Sequence, residues 1–513
     1  MTIKDNLSPS ARVARGATAV FIKSIAGAPL GLLYVAILTR LIPPNELGIL
    51  AILTFFATIL SAIGSLGLSW ASSKFIPELL GRGETYKALR VYKKIFLLGF
   101  VSSVIISIII LPLSPYLNLF LTRTSEYLFL MILAIISIPL TILFNIFLSL
   151  IQSFQRMKEY AAVSFTQLNL GRFLGLALLV LGLGLAGIFY ATIVATFLAI
   201  IISIPVLRRR FKAYNINLYD PPQDFPTIKL LSFSFPLLGV GLLGILLDWI
   251  DSVFIWAKLS FSELGIYQAA ILIYSFLLLP LIALYTSLYP QLSELYGKHG
   301  KESLSEAFKT TSRYVSLTFI PLIFVSILFS RQIISILTGP QYSEATIPFA
   351  IMAFGAFAAG FTMILSLYFM TLEKTKQLLG LQALSFVVYL SMLSFLVSML
   401  GIEGAAISKA FTASFTMVVA FIILKKYIKV CFDSEGFLKS IVSSLIASAL
   451  ILPFLMFYSS LTLFPLQLSL FAVIYLFVLI SLKSFHNYDL ERLEAFLPSR
   501  MKFLANLLRR FVK

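Results

Sequence analysis

The residues of this sequence that could do chemistry are charged side chains placed inside long apolar runs. Five such residues stand out, and three of them are cations: Lys23, Arg172, Asp248, Asp251 and Lys409. A charge at the centre of a bilayer costs at least ~2.5–3.5 kcal/mol, so each is expected to face a partner or a wet cavity. Arginine grips a phosphate through its planar fork and lysine supplies a movable point charge. The three cations therefore predict a cavity that binds an anionic group.

The two aspartates allow two interpretations. Asp248 and Asp251 are three residues apart, which places them on one face of a helix. They could take up a coupling proton or sodium ion, because a carboxylate removed from water can couple transport to protonation. They could instead balance charge, with Asp251 paired to Lys409 or Lys258 and Asp248 paired to Lys23. The sequence leaves both interpretations open.

Composition indicates the kind of protein that holds these charges. The chain is 59% hydrophobic and 12% charged, with a mean hydropathy of +0.97. A soluble globular domain carries about 25% charged residues, whereas apolar runs of ~20 residues, which recur here, cross a bilayer of roughly 30 Å. The fold class is therefore all-α and polytopic in a membrane. The net charge of +18 is spread over short loops, which favours membrane lipids and not nucleic acid as the partner.

Residue types that serve catalysis are scarce. The single Cys431 excludes a disulfide framework and a thiolate metal site. His299 and His486 are isolated in predicted loops, so no metal or acid–base site is assigned to them. The phosphate-binding pattern GxxxxGK[ST] does not occur, which argues against ATP as a cofactor. We therefore expect no cofactor, no metal and no enzymatic activity.

Apolar runs and Pro/Gly breaks predict fourteen spans. If the N-terminus is cytoplasmic, 33 of the 40 Lys and Arg residues fall in cytoplasmic segments and only four in outer loops. Because positive residues favour the cytoplasmic side, both termini are predicted to be cytoplasmic, in the cell membrane. The spans are 14–39, 48–70, 92–112, 127–151, 159–182, 186–207, 230–256, 265–289, 311–330, 346–370, 377–399, 402–424, 438–459 and 463–482.

A repeat with an offset of 217 residues organises these spans. The phrase NELGI at 45–49 returns as SELGI at 262–266, and GLAG at 184–187 returns as GIEG at 401–404. Each unit holds six spans, an even number, so the two units enter the membrane from the same side and enclose a cavity. We predict two six-helix lobes in parallel repeat, two added helices and a tail that lies on the membrane as an amphipathic helix or binds a partner. The predicted ranges are 1–215, 216–430, 431–484 and 485–513.

Several short segments resemble one family. The sequence AILTRLIPPNELG at 36–48 is similar to the segment joining helices 1 and 2 of Wzx-type polysaccharide-biosynthesis flippases, in the multidrug/oligosaccharidyl-lipid/polysaccharide (MOP) exporter superfamily. Residues 250–252 with 265–267 resemble that family's span-7-to-8 signature, including its aspartate. QSFQR at 152–156 and GPQYSEA at 339–345 also fit. Ser252 departs from the pattern, since a basic residue is expected there.

The resemblance implies a flippase that moves polyprenyl-(pyro)phosphate-linked oligosaccharide from the cytoplasmic to the outer leaflet by alternating access. Lys23 and Lys409 match positions that such flippases use, and Asp251 is carried over from the signature. Partners would be the lipid-linked oligosaccharide, membrane lipids and glycan-assembly enzymes. One alternative is a cation-coupled multidrug or metabolite antiporter, which would favour an acidic cavity. Another is a scaffold for glycan-assembly enzymes that transports nothing.

Overall fold

In a computed structural model, residues 26–154, 156–213, 225–457 and 461–484 are described, and they are helical almost throughout. Lys23 and the predicted tail at 485–513 lie outside these residues. Packing divides the chain into two units, 1–269 and 270–513, whereas the lobe ranges inferred from the repeat stay a prediction. The helices are α1 (Ala26–Leu41), α2 (Pro44–Gly64), α3 (Leu68–Gly81), α4 (Thr85–Ile110), α5 (Ser114–Thr122), α6 (Leu128–Ser153), α7 (Met157–Leu178), α8 (Gly184–Ala213), α9 (Thr227–Lys258), α10 (Phe261–Leu277), α11 (Leu279–Leu328), α12 (Ser330–Thr338), α13 (Thr346–Thr371), α14 (Thr375–Leu424), α15 (Ser434–Phe457) and α16 (Phe464–Ser481).

The helices bear out the predicted class of polytopic membrane protein. Ten helical segments of the described residues are long and apolar enough to cross a membrane, and two of these are 53 and 50 residues long. At ~1.5 Å per residue either would be far longer than a hydrocarbon core of ~30 Å, so each must cross twice. Counted in this way, and with the shorter apolar helices α1 and α10, the described residues offer fourteen apolar crossings, which is the predicted number; the first predicted span, 14–39, begins outside the described residues.

Glycines reverse these long helices at positions that obey the repeat. Gly184, the first residue of α8, has φ 54° and ψ −149°. Gly401, inside α14, has φ 59° and ψ −135°, and it lies 217 residues later. Gly83 and Gly300 share the same offset and also have positive φ values, 77° and 69°. A side chain strongly disfavours this region of backbone space, so these turns need glycine in both copies.

The repeated phrases NELGI and SELGI contact each other directly. Gly48 of α2 faces α10, where an added Cβ would overlap the Phe261 carbonyl and come within 3.1 Å of the Gly265 nitrogen. Gly265 of α10 faces α2 in the same way, against the Pro44 carbonyl and 3.0 Å from the Gly48 nitrogen. Both glycines therefore permit backbone contact between α2 and α10.

Several segments that we predicted as loops are helical. The cytoplasmic segment after span 2 contains α3, and the segment after span 8 continues as part of α11 through Gly300. Ser303 Oγ donates to the Leu295 carbonyl across that reversal at 3.1 Å. Polar composition led to these loop assignments, but a helix satisfies its own backbone whether or not it is apolar.

In the second unit, the helices α15 and α16 pack on the part of α11 that follows Gly300, which we call its second arm. The Tyr475 hydroxyl of α16 donates to the Leu317 carbonyl at 2.7 Å, and Ser440 of α15 donates to the Ser316 carbonyl at 3.0 Å. Nearby, the buried Arg313 guanidinium pairs with Asp433 at 3.3 Å. These bonds satisfy polar groups inside an apolar cluster and hold spans 13 and 14 against span 9.

Candidate functional site

Arg172 is a cation placed in the middle of a membrane span. It lies on α7, is half-buried, and holds its guanidinium 5.5 Å from the centre of the Tyr34 ring on α1. The flanking Gly171 and Gly175 face α8, where a Cβ would meet alanine methyl groups at 3.5 Å. Small residues thus bring α8 close behind Arg172, as is common between membrane helices.

The aromatic ring stabilises the Arg172 charge without neutralising it. A cation over a tyrosine face gains about 0.5–2 kcal/mol, and the guanidinium keeps its full charge and its donors. Arg172 makes no ion pair with another residue of the described ranges. The arrangement holds a cation with donors available to an anion.

Asp251 lies in a buried hydrogen-bond network that joins α9 to α10. Its Oδ2 accepts a bond from the Tyr267 hydroxyl at 2.9 Å, and its Oδ1 accepts from the Ser252 nitrogen at 2.8 Å. Gln268 Nε2 donates to the Ser252 hydroxyl at 2.7 Å. Ser252 is the residue that departs from the family pattern, and here it serves as a hydrogen-bond partner for the neighbouring carboxylate.

The two aspartates stand in different environments although they are three residues apart. Asp251 is fully buried, whereas Asp248 is exposed on α9. Whether either residue couples an ion stays a prediction. Of the two, only Asp251 is enclosed by the hydrogen bonds described above.

Lys409 belongs to the second unit, on the part of α14 that follows Gly401. It is half-buried, with its ammonium 6.0 Å from the centre of the Tyr389 ring on the first part of α14. The Ser385 and Thr416 hydroxyls lie 2.7 Å apart and join the same two arms. Lys409 and Arg172 therefore share a setting, a half-buried cation over a tyrosine ring.

The first unit also contains a cavity of about 410 Å³ that the sequence reasoning missed. Polar residues lie along one face of α2 and along one face of α6, and α9 supplies an apolar wall. The lining residues are Thr58, Ser61, Ala62, Ser65, Ser69, Trp70, Thr141, Asn145, Leu148, Ser149, Gln152, Tyr160, Leu237, Leu238, Gly241, Leu242 and Ile245. No lining residue is an Asp, Glu, Lys or Arg, so the pocket is polar but neutral. We call it the neutral pocket.

Sequence spacing contained a signal for the neutral pocket. Thr58, Ser61, Ser65 and Ser69 recur at helical spacing within an apolar run, and so do Thr141, Asn145 and Gln152. A polar stripe along a membrane helix must face a partner helix or a cavity, because lipid satisfies none of its hydrogen bonds. Neither stripe contains a charged residue, so neither was among the candidate site residues predicted from the charges inside the spans.

A second cavity, of about 760 Å³, lies between the two arms of α11 in the second unit. His299, Glu302 and Glu306 line it together with threonines and apolar residues. The described residues contain no group of three or more His, Cys, Asp or Glu side chains that could hold a metal ion.

Comparison with protein families identifies the chain. The model described as "Polysaccharide biosynthesis protein" matches residues 13–296, more than half of the sequence. The chain belongs to this family. A second model, MatE, matches residues 236–396. The resemblance inferred from the segments at 36–48 and 250–267 is confirmed.

Relatives of this family member agree with the assignment. The chain is 21% identical over 448 residues to the probable low-salt glycan biosynthesis flippase Agl15 of Haloferax volcanii, covering 86% of this chain and 90% of that protein. The solved structure of the lipid II flippase MurJ, in an inward closed conformation, is similar with a TM-score of 0.68. It is 16% identical, and the match covers 91% of this chain and 98% of MurJ.

A multidrug resistance MATE family transporter of the MOP superfamily, in an inward-facing conformation, has a TM-score of 0.63 at 17% identity. That match covers 83% of this chain and 96% of the transporter. The fold is thus the MOP fold, and this family member is a multi-pass membrane protein. Its relatives are named as flippases and transporters, which agrees with the prediction that it is not an enzyme.

Proposed function

We propose that this protein moves polyprenyl-(pyro)phosphate-linked oligosaccharide from the cytoplasmic to the outer leaflet by alternating access, for surface polysaccharide or glycoprotein assembly. The observation that carries the proposal is Arg172, a half-buried cation over Tyr34 in a membrane span. Its guanidinium offers donors in the planar fork that suits a phosphate. Lys409 and Lys23 would add positive charge for the same group.

The relatives support this substrate class. Agl15 is named as a glycan biosynthesis flippase, and MurJ as a lipid II flippase. A substrate of this kind combines a lipid, a phosphate group and sugars. We propose the cell membrane as the location, with both termini in the cytoplasm and glycan-assembly enzymes as further partners. An ion gradient coupled through Asp248 or Asp251, or consumption of the product outside, would drive transport.

Transport by purified protein in liposomes tests the role of the cations. We expect Arg172→Ala and Lys409→Ala to slow flipping of lipid-linked oligosaccharide by about tenfold or more, since a hydrogen bond to a charged group contributes ~1.5–3 kcal/mol. Lys258→Ala is the matched control. Lys258 also stands over an aromatic ring, Phe254, at 5.6 Å, but it is exposed at the end of α9. Wild-type rates in both variants would refute the cationic site.

The MatE match and the MATE-like fold favour one alternative, a cation-coupled multidrug or metabolite antiporter. Cells that lack the protein distinguish the two functions. A flippase loss leaves lipid-linked glycan accumulated on the cytoplasmic face and reduces surface glycan. An antiporter loss leaves surface glycan intact and lowers drug efflux.

A further inference from the structure

The neutral pocket differs from the proposed phosphate site, because none of its lining residues carries a positive charge. We propose that it binds sugar residues of the transported glycan, as a subsite separate from the cations. This inference rests on the proposed function, since it assigns one part of the same substrate to one part of the protein. The following contacts carry it.

The pocket presents side chains that form no hydrogen bond with any residue in the described part of the chain. Asn145 is exposed on α6, and Gln152 lies two turns further along the same helix. The side chains of Asn145, Gln152 and Ser69 form no hydrogen bond with another residue of the described ranges. A primary amide offers two donors and an acceptor, which suits the adjacent hydroxyls of a sugar ring. Such groups are costly in a membrane protein unless a ligand or water meets them.

An aromatic surface stands beside these groups. Trp70 lies in the first turn of α3, where it lines the pocket, and 55% of its surface is exposed. Its indole combines a flat apolar face with one N–H donor, a combination that serves ligands with one apolar and one polar side. Sugar rings have this character, with apolar C–H faces and polar edges. Trp70 therefore offers a stacking surface beside the amides.

The backbone opens the pocket where α2 ends. Leu66 and Gly67 have φ values of 51° and 67°, and they separate α2 from α3. A Cβ on Gly67 would overlap the Ser234 carbonyl of α9, so the backbone between α2 and α3 is in close contact with α9. The break between α2 and α3 thus lies against α9, next to Ser65 and Ser69, which line the pocket.

The depth of the pocket suits a substrate that enters from the cytoplasm. The helix α2 has 21 residues, so its broken end lies ~31 Å from its start. In the predicted orientation this end is cytoplasmic. The charge of the lining residues distinguishes between classes of ligand. A cationic drug would favour an acidic residue in the pocket, and a phosphate would favour a basic residue. The pocket is lined by neither kind of residue. A neutral sugar fits the available chemistry.

Two probes test the subsite on the full-length protein in detergent micelles. One is the lipid-linked glycan purified from cells that lack the protein, and the other is sugar-free polyprenyl diphosphate. We expect Asn145→Leu and Gln152→Leu each to weaken binding of the glycan probe by about two- to tenfold, since one hydrogen bond contributes ~0.5–1.5 kcal/mol. Binding of the sugar-free probe should stay within twofold of wild type. We also expect the glycan to change tryptophan fluorescence in the wild type but not in Trp70→Phe.

A matched pair controls for changes in helix packing. Thr141 lines the pocket and Thr192 does not, yet both are half-buried and bond the carbonyl four residues earlier at 2.9 Å. Only Thr141→Val should weaken glycan binding. Equal weakening for both probes, or no weakening in the pocket variants, overturns the subsite. If the wild-type protein binds neither probe, both the proposed function and the subsite are refuted. Arg172→Ala should weaken the binding of both probes, because both carry the phosphate group.

Discussion

At the scale of residues, Asp248 and Asp251 are only three positions apart, yet their carboxylates lie in different environments. Asp251 is fully buried and accepts bonds from Tyr267 and Ser252, while Asp248 is exposed. The position of a carboxylate on a helix can be read from the sequence. Its partners come from a second helix, α10, so they depend on how α9 and α10 pack. The structural contribution of the two aspartates should therefore differ.

Removal of the Asp251 carboxylate should destabilise the protein. In Asp251→Ala, the carboxylate that accepts hydrogen bonds from the Tyr267 hydroxyl and the Ser252 nitrogen is removed, and we expect a loss of ~1–3 kcal/mol in unfolding free energy. The double variant with Tyr267→Phe should lose less than the sum of the two single variants, because both single changes remove the same hydrogen bond. Denaturant unfolding of the purified protein measures the free energy of unfolding for this cycle. The control is Asp248→Ala, for which we expect a smaller change. Equal losses at the two aspartates would contradict the role of the network.

At the scale of elements, glycine determines where helices meet and turn. Gly48 and Gly265 bring α2 and α10 into backbone contact, while Gly184 and Gly401 reverse the chain between spans. The helices α6 and α13 also correspond, since both have 26 residues and begin 218 residues apart. These positions explain why short phrases survive in both halves of the repeat: their glycines serve the same geometry twice.

Glycine-to-alanine substitutions should destabilise the protein where the glycine packs against another backbone, and not where the helix surface is open. In Gly48→Ala or Gly265→Ala, the added methyl overlaps a backbone carbonyl, which cannot rotate away, so we expect a loss of ~1–3 kcal/mol in unfolding free energy. Gly239→Ala is the control. No described atom lies within 4 Å of a Cβ at Gly239, and alanine favours a helix over glycine by ~1 kcal/mol. Thermal denaturation of the variants in detergent reports the order, and a stable Gly48→Ala protein would argue against the backbone contact.

At the scale of the whole molecule, the distribution of positive charge predicts the orientation in the membrane. Lys298, exposed on α11, lies in a predicted cytoplasmic segment, and Lys258, exposed at the end of α9, lies in a predicted outer loop. The single Cys431 is also on the predicted cytoplasmic side. This pattern makes the orientation testable with one reagent.

Labelling of intact cells with a membrane-impermeant maleimide should report the orientation. In a Cys431→Ala background, we expect Lys258→Cys to react and Lys298→Cys to react only after the cells are permeabilised. Both lysines are exposed, so the difference would reflect the side of the membrane and not burial. The opposite pattern would invert the predicted topology.

The sequence by itself determined the class of protein, the fourteen spans and the family. These follow from local properties: an apolar run must be long enough to cross the bilayer, and glycine phrases recur at a fixed offset. The sequence also indicated Arg172, because an isolated charge inside a span needs an explanation. These conclusions do not require knowledge of which helices are neighbours.

Tertiary structure alone decided which groups meet. It placed Tyr34 beside Arg172 and Tyr267 beside Asp251, and it set Gly48 against Gly265. It also brought the polar faces of α2 and α6 together around the neutral pocket, although neither stripe marks a site by itself. The physical reason is that hydrogen bonds and cavities depend on contacts between helices distant in sequence, whereas span length and hydropathy belong to each helix alone.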